Sequence, residues 1–270
     1  MIASQTLAAL GSLAVLLPVA LTELPSVFSP AGDPPRIVDA RQSPYSAIGK
    51  FRGTMTCTAA IVLNPRIIIT AGHCVTERDG TTRRSKLSFQ LAYQTGTDLG
   101  RFKATLWAVG STQSFAQESI HDASKDWAIL ILDRAPVGVR PFALRHDSPK
   151  ALEFLERQIL LPAYSNDVGD AEALSVDPNC TVRDLAWDTL IHTCTVKAGS
   201  SGAPLLLPEG SAYAVVGIHT ASIFASDADG RVGKFVGNQA IGSGMFSEAA
   251  LRLSRQLDGG PIQTVNMGDY

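Results

Sequence analysis

The sequence predicts an all-β protein, a barrel or a sandwich, ending in a single helix. Short apolar or alternating runs recur along the chain with turn residues between them, and helical periodicity is nearly absent until the C-terminus. At 270 residues, 45% apolar and 18% charged, the chain can bury one large or two small cores. Its 23 basic and 25 acidic residues leave a net charge of −2, and no basic block longer than Arg83-Arg84 stands out. Such a surface lacks the electrostatic footprint of a nucleic-acid binder, so no nucleic-acid partner is expected.

In chain order, the first element is the run "LAALGSLAVLLPVAL", Leu7 to Leu21. It is about 15 residues long, short of the roughly 20 that a bilayer-spanning helix needs, and reads as the apolar region of a signal peptide. No Lys or Arg precedes it, and no A-x-A cleavage site follows. Residues 1–35 are expected to be signal peptide and leader, leaving a secreted or periplasmic protein with no membrane partner after processing. Ser29 to Tyr45 holds four prolines and reads as an extended lead-in.

Ala59 to Leu63 and Ile67 to Thr70 flank Asn64-Pro65, a turn signal, and so predict a hairpin. Leu87 to Tyr93 and Phe102 to Val109 are further strands. Trp127 to Leu132 is apolar on both faces, as in a buried strand, with acids at both ends, Asp126 and Asp133. Ile159 to Ala163, Leu190 to Val196 and Ala212 to Thr220 continue the pattern. "FSEAALRLSRQL" predicts the one helix, with Ser247 as N-cap, Phe246 and Leu251 as a hydrophobic staple, and Ala250, Leu253 and Leu257 on one face.

Cys57, Cys74, Cys180 and Cys194 form an even set, which suits two local bridges in an exported chain, although four cysteines permit three pairings. No C-x-x-C or comparable ligand pair is present, so neither a metal nor a cofactor is expected.

Three stretches carry candidate chemistry. In "CTAAIVLNPRIIITAGHCV" the hairpin lets Cys57 and Cys74 lie side by side at its open end, with His73 beside the second. In "KDWAILILD", Asp126 at the strand entrance is partly buried and requires hydrogen-bonding partners, for which an imidazole N–H is suited. In "VKAGSSGAPLL", Gly199 and Gly202 permit backbone conformations and close approaches that other residues do not. Ser201 lies between them, and such a turn can aim successive N–H groups into one concavity that stabilises an oxyanion.

Together these stretches resemble the chymotrypsin-like, or trypsin-fold, serine peptidases. "TAGHC" is similar to the family's TAAHC around its catalytic histidine, with Gly72 in place of one alanine; "DWAIL" is similar to DIALL around its aspartate; "GSSGAP" is similar to GDSGGP around its nucleophile. The order His, Asp, Ser is the family's, and the resemblance runs from Ile37 to the C-terminal helix. "SPYSAIGKF" and "VVGIHTA" look especially like the bacterial branch that includes the glutamyl endopeptidases. The resemblance implies two antiparallel six-stranded β-barrels with a C-terminal helix. Residues 36–145 would form the barrel carrying His73 and Asp126, residues 146–245 the barrel carrying Ser201, and residues 246–270 the helix and tail.

It further implies a serine endopeptidase acting on protein or peptide substrates as a monomer, with an acyl-enzyme intermediate. His73 is then the general base and acid, Asp126 its orienting partner and Ser201 the nucleophile, with the N–H groups of Gly199 and Ser201 as oxyanion hole. Cys57 would be bridged to Cys74, leaving Cys180 with Cys194. Thr195 occupies the base of the primary specificity pocket, where the absence of an acid removes the counter-charge for Arg or Lys. His219 matches a histidine that glutamyl endopeptidases place near a substrate carboxylate. Thr220 stands where animal enzymes hold a serine that hydrogen-bonds the aspartate, or it is satisfied by backbone. Ser200 replaces the acid that pairs with a freed N-terminal ammonium in animal enzymes, although "PPRIVDA" resembles their activation site. The oxyanion loop is therefore expected to be ordered without that ion pair, by Ser200 hydrogen bonds and the second bridge.

Competing readings exist. Asp133 next to Arg134 reads as a surface ion pair, Asp122 lies in a polar loop, and His121 and His192 read as loop or strand residues. "SDADGRVG" lacks the ligand spacing of a calcium loop and reads as a hairpin turn. The order of residues opposes an α/β-hydrolase, which runs Ser, acid, His. The alternative function is a weak or inactive binding protein on a protease scaffold.

Overall fold

A computed structural model describes residues 35–77, 79–111, 124–145, 158–166, 169–186, 189–226 and 232–259. The run Leu7 to Leu21, His121 and Asp122 lie outside the described residues, as does most of "SDADGRVG".

Six strands close the first barrel: β2 (Ile48–Arg52), β3 (Thr56–Ile61), β4 (Ile67–Thr70), β5 (Leu87–Leu91), β6 (Gly100–Val109) and β7 (Ala128–Leu132). They run in the order β2-β3-β4-β7-β6-β5, with β5 closing onto β2. Period-two patterning builds this wall. Along β6, Phe102, Ala104 and Leu106 are buried while Arg101, Lys103 and Thr105 are exposed. Phe51 pairs with Phe89 across β2 and β5, and Phe89 with Phe102 across β5 and β6. All three rings are buried, and each is worth about 1.5–3 kcal/mol over its exposed state. The β3 to β4 hairpin turns at Asn64-Pro65, with Ala60 opposite Ile69.

The second barrel uses β9 (Gln158–Ala163), β10 (Ser175–Ala186), β11 (Thr189–His192), β12 (Pro204–Glu209), β13 (Ala212–Ser226) and β14 (Val232–Gly242). Their order is β10-β11-β14-β13-β12-β9, closed by β9 onto β10. The architecture is thus two closed antiparallel six-stranded barrels. Two short strands lie on the second: β1 (Arg36–Ile37) pairs with β10, and β8 (Ala143–Leu144) runs parallel to β13. Strand β11 is shorter than the apolar run Leu190 to Val196 predicts. Beyond Thr193 the chain leaves the ladder, and the Thr195 N–H donates to the side-chain carboxylate of Asp177 on β10 instead of to a strand carbonyl.

The C-terminal helix spans Gly244–Leu257. Its start corrects one expectation: Ser243, not Ser247, is the N-cap, and Ser247 is buried in the first turn. The Ser243 hydroxyl makes no cap because it donates to the Arg145 carbonyl. Phe246 is not half of a staple but packs on Trp127, with ring centroids 6.3 Å apart. Through Phe246, Ala249, Ala250 and Leu253 the helix joins the core of the first barrel, although it follows the second in sequence.

Candidate active site

Strand β4 runs into a tight 3₁₀ turn, Gly72–Cys74, which presents His73. The turn is tied to β3 by the Cys57–Cys74 disulfide. Asp126 lies just before β7, which pairs with β4, so the barrel brings the two side chains to one rim. Asp126 is buried, and both its oxygens are satisfied by one residue. The His73 backbone N–H donates to Oδ1 at 2.8 Å, and His73 Nδ1 lies 2.8 Å from Oδ2. A carboxylate opposite Nδ1 holds the proton there and leaves Nε2 as the reactive nitrogen. Burial lowers the His73 pKa, but the charge and hydrogen bond of Asp126 more than offset it, so the imidazole is held above its ordinary value. A Cβ at Gly72 would sit 3.0 Å from Asp126 Oδ1, which is why the smallest residue suits this position. Asp133 takes no part: it pairs with Arg134 at 3.0 Å on the surface.

The serine turn folds against this rim. Gly199 and Gly202 have φ of +96° and +80°, a region that favours glycine. A Cβ on Gly202 would meet Thr70 Oγ1 at 2.2 Å and Thr58 O at 2.4 Å, so the turn touches the hairpin that carries His73. The four carbonyls from Ala198 to Ser201 each have a donor. Asn166 N–H donates to Ala198 O, Thr58 Oγ1 to Gly199 O, Ala203 N–H to Ser200 O and Thr58 N–H to Ser201 O. The N–H groups of Ser200 and Gly202 donate to the carbonyls of Lys197 and His219. Between Gly199 and Gly202, the N–H groups of Gly199 and Ser201 have no hydrogen-bond acceptor among the described residues. Ser200 is buried and its Oγ accepts from the Lys197 N–H at 3.4 Å, so its hydroxyl serves the turn internally. Ile37 is 60% exposed in β1, far from the role of an inserted terminus.

The second disulfide joins Cys180 on β10 to Cys194. Around it the approach to the serine turn is anchored by Asp177 on Thr195 N–H and by Asn238 Nδ2, which donates to Cys194 O at 2.6 Å. Thr195 is half-buried. His219 on β13 is buried and touches His192 of β11, Nδ1 to Nε2, at 3.1 Å, with the rings nearly perpendicular. The Cys194 N–H donates to His192 Nδ1. His192 therefore carries its proton on Nε2, donates to His219 Nδ1, and leaves His219 with its proton on Nε2. Burial first, and then the neighbouring histidines, push both imidazoles down, His219 to about 3. Thr220 takes the backbone alternative, donating to the Gln239 carbonyl at 3.5 Å.

Cys57, His73 and Cys74 bring ligand-type atoms within 4.8 Å. Both sulfurs are spent in the disulfide and Nδ1 is held by Asp126, so these groups are not free to coordinate an ion.

The sequence reading missed Thr58 and the anchors after β9, and it underrated His192. Thr58 looks like any strand threonine, and its partner Gly199 is 141 positions away. A buried His-His contact likewise leaves no sequence signal.

Two closed barrels with this order of elements form the serine-protease fold. The family model for the trypsin-like peptidase domain matches residues 57–218, and the chain belongs to that family; it is a serine endopeptidase by class. Among solved structures the chain is similar to a Glu endopeptidase in complex with MPD, with 20% identity, a TM-score of 0.61, and coverage of 82% of this chain and 96% of that one. It is also similar to the protease Anisep from Arthrobacter nicotinovorans, with 18% identity, a TM-score of 0.56, and coverage of 79% and 97%. A thermostable serine protease, AL20, from an extremophilic microorganism has 20% identity, a TM-score of 0.52, and coverage of 76% and 97%. At such identities these likenesses speak for the fold. No curated protein sequence matches the chain.

Proposed function

We propose that the protein hydrolyses peptide bonds through Ser201, His73 and Asp126. Ser201 Oγ attacks the scissile carbonyl carbon while His73 Nε2 takes its proton, because a serine hydroxyl is a weak nucleophile without an adjacent base. The Gly199 and Ser201 N–H groups receive the oxyanion of the tetrahedral intermediate. His73 then protonates the leaving amine, an acyl-enzyme forms on Ser201, and water reverses the sequence. Asp126 holds the Nδ1 tautomer and stabilises the imidazolium without itself taking the proton.

One observation carries this reading. The serine turn has its carbonyls from Ala198 to Ser201 hydrogen-bonded and leaves without an acceptor the two N–H groups that an oxyanion needs, beside a histidine whose tautomer a buried carboxylate sets. An inactive scaffold has no reason to keep two unpaired N–H groups and a satisfied dyad together. The test is labelling with a serine-directed phosphonylating reagent, read by mass spectrometry. The expected result is one adduct on Ser201, abolished by Ser201→Ala; a folded, processed protein that takes no label overturns the proposal.

For specificity, we propose that Thr195 and His219 line the primary pocket and that Arg and Lys are not preferred. A preference for Glu on the N-terminal side of the cut follows if the His219 Nε2–H donates to the substrate carboxylate. His219 is held neutral, so it offers a hydrogen bond and not an ion pair. A cleavage profile on a peptide library tests this, and absence of acidic residues at that position ends the Glu reading. The two disulfides suit an oxidising compartment, which supports secretion or a periplasmic location for a monomer. Among the described residues no helix is long and apolar enough to cross a membrane.

A further inference from the structure

The proposed oxyanion hole needs the peptides Ala198-Gly199 and Ser200-Ser201 to keep their N–H groups aimed at the substrate. A turn with two glycines at positive φ has little intrinsic reason to stay in one conformation. Besides the bonds it makes within its own barrel, it is held from the other one. Thr58 on β3 is fully buried and makes three hydrogen bonds at this point. Its N–H donates to Ser201 O at 2.9 Å, its Oγ1 donates to Gly199 O at 3.0 Å, and the same Oγ1 accepts from Tyr164 N–H at 3.0 Å. Thr58 is in turn held from β4, where Thr70 Oγ1 donates to Thr58 O at 2.8 Å. One hydroxyl therefore bridges the nucleophile turn and the segment after β9, and it belongs to the strand that Cys57 fastens to the His73 turn.

We propose that Thr58 is a positioning residue for the reaction: its hydroxyl sets the orientation of the Gly199-Ser200 peptide and thereby presents the Gly199 and Ser201 N–H groups. This rests on the role of the serine turn given above. The device is uncharged. Ser200, buried next to it, bonds within the turn, and Ile37 stays in β1 as an exposed strand residue. A charged anchor here would have to be desolvated; the Thr58 hydroxyl is neutral and both donates and accepts one hydrogen bond.

The test uses the full chain with Thr58→Val, which keeps the shape and removes the hydroxyl, and Thr58→Ser, which keeps the hydroxyl. The expected result for Thr58→Val is a fall in kcat on the order of 10²-fold, similar to loss of one oxyanion donor, with KM within about threefold because ground-state binding is spared. The affinity for a peptide aldehyde, whose hemiacetal oxygen occupies the hole, falls in step with kcat/KM. The pH midpoint of kcat/KM does not move, since His73 and Asp126 are untouched, and Thr58→Ser restores kcat to within about fivefold of wild type.

The proposal is overturned if Thr58→Val keeps kcat within threefold, if the loss falls on KM alone, or if Thr58→Ser is as impaired as Thr58→Val. It is also overturned if Thr58→Val and Thr58→Ala both lack a cooperative unfolding transition, because Thr58 would then hold the fold and not the turn. A wild-type protein that neither cleaves peptides nor binds the aldehyde refutes the proposed function itself, an outcome distinct from an active wild type with an indifferent Thr58→Val.

Discussion

Two histidine contacts in this molecule differ in one partner and in almost everything that follows. His73 faces a carboxylate at 2.8 Å and keeps part of its ring in solvent; His192 and His219 face each other at 3.1 Å and are buried. All are penalised for charge by burial. Asp126 reverses that penalty for His73, whose pKa rises, while the His-His pair has no anion to do so and stays neutral. The lesson is that imidazole chemistry is set by what the other ring nitrogen meets: a carboxylate makes a base that can hold a proton in a transition state, and a second imidazole makes a rigid neutral donor.

Replacing Asp126 breaks the contrast most severely. Asp126→Asn is expected to lower kcat/KM on the order of 10⁴-fold in a peptide assay near pH 8, as loss of the orienting carboxylate does in triads generally. A loss below tenfold would remove Asp126 from the mechanism. In the proposed mechanism His73 must be neutral to act as base, so wild-type activity should rise with pH through a midpoint above the ordinary histidine value. A midpoint below that value in a kcat/KM profile contradicts the raised pKa.

Stability offers the next test. Removing the Cys57–Cys74 bridge by a double change to Ala is expected to cost about 3 kcal/mol in urea unfolding. The histidines then set opposite slopes. The neutral pair contributes stability that is lost as pH falls below the unfolded histidine pKa, at up to about 1.4 kcal/mol per pH unit for each ring. His73, raised in the folded state, contributes stability that is lost as pH rises through its folded pKa. Denaturation across pH should therefore show its histidine-linked maximum near the unfolded value, and His192→Gln with His219→Gln should flatten the acid side alone. The smallest effect belongs to the surface pair: Asp133→Asn should change stability by less than about 0.5 kcal/mol and leave kcat/KM within twofold.

By itself the sequence determined the strand pattern and the single helix, because alternating burial writes itself as period two and the helix as period 3.6. It also displayed the three motifs, since a tight histidine turn, an acid entering a buried strand and a glycine-bounded serine each demand local residue types. The sequence showed in "VKAGSSGAPLL" that a turn could aim N–H groups. Only the tertiary structure decided which N–H groups remained unpaired, because the turn's carbonyls are held by Thr58 on β3 and by Asn166 in the segment after β9. It alone joined His192 to His219, placed the C-terminal helix on the first barrel, moved the N-cap to Ser243 and turned Thr220 to Gln239. Those are choices between partners far apart in the chain. A hydroxyl or an imidazole looks the same in sequence whichever partner it finds.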